Sequence, residues 1–213
     1  ANPFRVACID LHPPVVQAAG LEVVEQKAVL CDKSFKQVMK EVIRPQFAKP
    51  EDEKRFDAEW YHIFLGQADI HRNHYLTFFP GRARSTSEWN LGLLPLMNVR
   101  YLVSTKPLDD PRGMVELVGQ DPGPYPWAWF MDVPALKRFY GLPLWIYRIK
   151  GGLDRAYLAN RVVVLKDPAT VLAAMAGEKA EDLGHAVYLA AAGLPPGLDP
   201  GLIPPEAQAT AGD

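Results

Sequence analysis

The stretch Leu93–Pro107, LLPLMNVRYLVSTKP, constrains the fold more than any other. Leu93, Leu94, Leu96 and Met97 make an apolar helical end, and Asn98 breaks that pattern. Val99–Thr105 is β-branched and aromatic, and Pro107 closes it, so a strand is expected to enter directly from a helix. Alternation places Val99, Tyr101 and Val103 on one face and Leu102 on the other. A strand apolar on both faces belongs inside a sheet rather than at its edge.

The flanking patterns alternate between strand and helix. Phe4–Asp10 reads as a strand, followed by a short helix from Pro13 or Pro14 to Ala19 that Gly20 closes. Leu21–Leu30 is extended, with polar Glu25, Gln26 and Lys27 interrupting it. Ser34–Gln37 and Ser85–Glu88 both fit the capping box, in which a hydroxyl and a side chain three residues on exchange hydrogen bonds with backbone amides. Phe35, Val38, Met39, Val42 and Ile43 form a helical stripe that Pro45 ends or kinks. Pro50 opens a further helix with Phe56, Trp60, Ile63 and Phe64 inward. Leu76–Phe79, Met114–Val118, Leu144–Ile149, Ala156–Leu158, Arg161–Leu165 and His185–Ala190 read as strands. Pro134–Tyr140 reads as one or two helical turns, and Asp167-Pro168 caps a helix carrying Val171, Leu172 and Met175. The expected fold is α/β or α+β, a mixed β-sheet packed against several short helices with Pro-rich loops.

With 213 residues, 48% of them hydrophobic, the chain is long enough for a substantial core. Residues 1–192 read as a single domain and 193–213 as a Pro/Gly-rich tail or linker. The net charge of −2 argues against nucleic acid and anionic membrane surfaces as partners. No apolar run reaches the roughly 18 residues that span a bilayer. ANPFRVACID lacks a signal-peptide pattern, and the abrupt start suggests a piece cut from a longer chain, with Ala1 and Asn2 as additions.

Several clusters carry chemistry. Asp69, His71 and His74 have metal-ligand character, while Arg72 and Asn73 beside them suit a glycan hydroxyl or phosphate. The alternative is a polar loop with hydrated histidines. Arg82 and Arg84, ahead of a helix start, suit an anion, or else stand solvated in a loop. Tyr125, Trp127 and Trp129 alternate in a Pro-rich loop, where they either stack on sugar rings or cover a sheet edge. Cys8 and Cys31 either pack as small hydrophobes or, in an oxidising compartment, pair. Neither a P-loop nor a nucleophile elbow nor a GxGxxG run is present.

Across residues 4–190 the chain resembles the extracytoplasmic part of YfhO/YkoS-type bacterial multipass membrane proteins, which are linked to the GT-C glycosyltransferases. Asn98-Val99-Arg100-Tyr101-Leu102-Val103 carries the resemblance most strongly. Arg5-Val6-Ala7, His12-Pro13, Val16-Gln17 and Gly20 are similar to the family's opening stretch, and Phe35-Lys36 to its next helix. Trp145-Ile146-Tyr147-Arg148, Asp154-Arg155-Ala156-Tyr157-Leu158 and Val162-Val163-Val164 are similar to a later segment. Two departures stand out: Glu25-Gln26-Lys27 replaces an Asp-Gly-Tyr turn, and Asp154 replaces a proline before the Arg-Ala pair.

The resemblance implies an accessory domain on the extracytoplasmic (periplasmic) side of the bacterial cell membrane. It would contact or position a glycan or lipid-linked sugar, with the membrane-embedded part of the same polypeptide as its partner. Alone it would be non-catalytic and without a cofactor, because the GT-C catalytic acid lies between membrane helices. The glycan- or anion-binding candidates are His71, Arg72, Asn73, Arg82, Arg84, Trp127 and Trp129. Two other readings stay open: a structural or interaction domain, and a metal-dependent enzyme using Asp69, His71 and His74.

Overall fold

A computed structural model describes residues 4–11, 13–24, 26–27, 33–58, 62–63, 65, 84–121, 143–151, 161–178 and 180–191. The strands expected at Leu76–Phe79 and Ala156–Leu158 and the helical turns at Pro134–Tyr140 lie outside them.

The centre is a five-stranded mixed sheet, as expected. Its strands are β1 (Arg5–Ile9), β2 (Glu22–Val23), β6 (Val99–Ser104), β8 (Val115–Asp121) and β9 (Leu144–Ile149), in the order β2-β1-β6-β9-β8. β1 pairs in parallel with β2 and β6, whereas β9 runs antiparallel to both β6 and β8. Between β1 and β2 lies α1 (Pro13–Ala18). Gly20 closes it with φ +81°, its amide donating to the Gln17 carbonyl at 2.8 Å. The remaining short strands are β3 (Gln26–Lys27) with β4 (His62–Ile63), and β5 (Arg84–Ser85) with β7 (Leu108–Asp109).

β1 is buried on both faces, which is why its residues are almost wholly apolar. Ala7 and Ile9 enter the larger core, with Met39, Val42 and Ile43 of α2 (Lys33–Ile43), Phe56 of α3 (Pro50–Ala58), Trp89 and Leu102. Val6 and Cys8 face a smaller core with Leu11, Val16 and Val103. β6 likewise serves both cores, but not in the expected alternation. Val99 lies with Leu102 in the larger core, while Tyr101 and Val103 line the smaller one. The cause is a register shift: Arg5 pairs with Val99 but Val6 with Tyr101, so Arg100 is an extra residue. A bulge of this kind turns the residue before it to the opposite face.

The helix expected before β6 is instead two 3-10 turns, Leu91–Leu93 and Pro95–Met97. Asn98 ends the second with φ 61° and ψ 27°, and its carbonyl accepts from the Arg5 amide at 2.8 Å. This left-handed conformation turns the chain from helix into strand. Asn98→Val is expected to cost about 1–2 kcal/mol and Asn98→Gly close to nothing. Urea denaturation of the two variants checks this, and equal midpoints would contradict it.

Other boundaries also differ from expectation. The α2 helix begins at Lys33, which places Ser34 inside its first turn, whereas its end at Ile43, ahead of Pro45 in the 3-10 turn Arg44–Gln46, is as expected. α3 ends at Ala58, so Ile63 belongs to a strand rather than to the helix. β10 (Arg161–Leu165) and β11 (Ala186–Ala190) form a separate parallel pair, bridged by α4 (Pro168–Gly177) and α5 (Ala180–Leu183). Asp167 caps α4 as expected, accepting from the Thr170 amide at 2.9 Å. Met175 and Ala176 of α4 pack against the larger core, where α4 lies beside α2 and the 3-10 turn Leu91–Leu93. No helix among the described residues is long and apolar enough to cross a membrane.

Candidate functional site

After β1 the chain passes through α1 to β2 on one side. After β6 it passes through β7 towards β8 and β9 on the other. The connections that leave the carboxyl ends of the parallel strands β1 and β6 therefore run to opposite sides, and such a switch point is where open sheets form ligand crevices.

Polar side chains gather there. Asp10 follows β1 with φ 55°, a left-handed conformation that Asp accepts better than most residues. Arg84, on β5, donates from Nη2 to Asp10 Oδ1 at 3.0 Å and from Nε to Oδ2 at 3.2 Å. Its Nη1 donates to Glu88 Oε2 at 2.9 Å. The three side chains are 8–14% exposed, so this is an almost buried ion network joining residues 74 positions apart. Thr105, just past β6, is 3% exposed, and its Oγ1 lies 3.4 Å from the Asp10 carbonyl oxygen.

The Ser85 capping box positions Glu88. The Ser85 amide donates to Glu88 Oε1 at 3.2 Å, and Ser85 Oγ accepts from the Ser87 amide at 3.3 Å. Thr86 is fully buried and donates from Oγ1 to Asp110 Oδ1 at 2.7 Å. Arg112 Nη2 donates to the carbonyls of Thr86 and Trp89 at 2.6 and 2.7 Å. The segment 84–90 is thus clamped between the end of β1 and the turn that opens β8.

Asp110 also accepts from the Val115 amide at 2.9 Å. Burial alone would raise its pKa. Hydrogen bonds from Thr86, Val115 and Met114, with the charge of Lys150, outweigh burial and hold the pKa below its ordinary 3.8. A depressed carboxyl contributes stability that is present above the unfolded-state pKa and lost as pH falls through the folded-state one. Asp110→Asn should therefore flatten the acid limb of stability below about pH 4, as read by denaturation at a series of pH values. An unchanged acid limb would contradict this.

Of the residues singled out in the sequence, the structure describes Arg84 and Cys8. The Arg84 fork is engaged by Asp10 and Glu88, so an incoming anion would have to displace a carboxylate. Cys8 is 4% exposed in the smaller core. Cys31, with which it would pair only in an oxidising compartment, lies outside the described residues, as do Asp69, His71, Arg72, Asn73, His74, Arg82, Trp127 and Trp129. Among the described residues no group of three or more His, Cys, Asp or Glu side chains is placed to hold a metal ion. Asp10, Thr105 and Asp110 escaped the sequence reading, and Glu88 entered it only as half of a capping box. The signal for Asp10 was a lone carboxylate closing a strand buried on both faces.

No family model matches this sequence, and comparison with curated proteins and with solved structures finds no match to either.

Proposed function

We propose that this chain is a non-catalytic accessory domain of a bacterial glycosyltransferase-like membrane protein, positioning a glycan on the extracytoplasmic side of the membrane. The resemblance centred on Asn98–Val103 supplies the class. The observation that carries the binding role is the gathering of Asp10, Arg84, Glu88 and Thr105 at the carboxyl ends of β1 and β6, where the connections part to opposite sides. Carboxylates, guanidinium and hydroxyl are the groups that hydrogen-bond sugar hydroxyls. Two carboxylates here answer one guanidinium, which favours a neutral sugar over a phosphorylated one. The membrane-embedded part of the same polypeptide is the proposed partner.

Isothermal titration calorimetry with neutral bacterial cell-surface oligosaccharides tests this. Saturable binding is expected, weakened about ten- to a hundredfold in an Asp10→Asn/Arg84→Met/Glu88→Gln variant, which strands no buried charge, since hydrogen bonds to charged groups contribute about 1.5–3 kcal/mol. Trp127→Ala/Trp129→Ala should also weaken it if those rings stack on the sugar. Tighter binding of phosphorylated sugars would overturn the neutral-ligand reading, and no binding at all would overturn the glycan role.

One observation favours a second reading, a structural or interaction domain. The Arg84 network is nearly buried, as a brace between distant segments would be. The metal-enzyme reading with Asp69, His71 and His74 is tested by a zinc-induced thermal shift that His71→Ala/His74→Ala abolishes.

A further inference from the structure

We draw no further inference here: the strongest candidate, the exposed apolar pair Leu117 and Val118 on the edge strand β8, carries none because nothing in the structure shows what covers it.

Discussion

Arg84→Ala is expected to lower the free energy of unfolding by about 3–5 kcal/mol, the cost of stranding buried charge by removing one partner. The Asp10 and Glu88 side chains are only 12% and 14% exposed, so without the guanidinium their charges are left with little solvation. The loss should shrink in Asp10→Asn/Arg84→Met/Glu88→Gln, because deleting a whole network costs far less than deleting one member. Asn suits position 10 because it tolerates the φ of 55° found there. Urea denaturation of the single and triple variants gives both values. A loss below about 1 kcal/mol for Arg84→Ala would match a solvated surface pair instead.

Trp89→Ala should be comparably severe, at about 3–5 kcal/mol. The indole is fully buried in the larger core, between the α2–α3 layer and the sheet. Its Nε1 donates to the Leu65 carbonyl at 2.8 Å. Gln46 Nε2 donates to the same oxygen at 2.5 Å, so losing the indole N–H leaves that carbonyl with a donor. Packing rather than the hydrogen bond should therefore dominate. Trp89→Phe separates the two, because it keeps most of the ring and loses only the N–H. Its expected cost is well under half that of Trp89→Ala, and equal losses would place the weight on the hydrogen bond.

The position of Trp89 also shows why it matters to the site. The next residue, Asn90, donates from its amide to the Val42 carbonyl at 2.8 Å and from Nδ2 to the Glu41 carbonyl at 2.7 Å. These are carbonyls at the end of α2 that have no partner within the helix. Segment 84–90 is thus held by α2 at one end and by Asp10 at the other. The Asp10–Arg84–Glu88 geometry depends on both anchors.

Local signals in the sequence translated well. The β1 strand, the Gly20 stop, the Ser85–Glu88 capping box and the Asp167 cap each depend on residues within a few positions. The mixed sheet with short helices followed from the alternation of those elements. What did not translate depends on distant partners. Nothing near Arg84 announces Asp10, which lies 74 residues earlier. The sequence alone therefore leaves Arg84 as an anion fork or a solvated arginine, although its three nitrogens donate to carboxylates. Val99 was placed on the wrong face because the bulge beside it arises from pairing with Arg5 and Val6, not from the β6 sequence. The separation of β10 and β11 from the main sheet was equally invisible, since both read simply as apolar strands.

The carboxyl ends of β1 and β6 are the proposed seat of a neutral sugar. The most direct test is an NMR titration of the isotope-labelled chain with a neutral cell-surface oligosaccharide. Saturable shifts concentrated on the amides of Asp10, Arg84–Glu88 and Thr105 are the predicted result. Absence of saturable shifts, or shifts that cluster elsewhere, would contradict the claim.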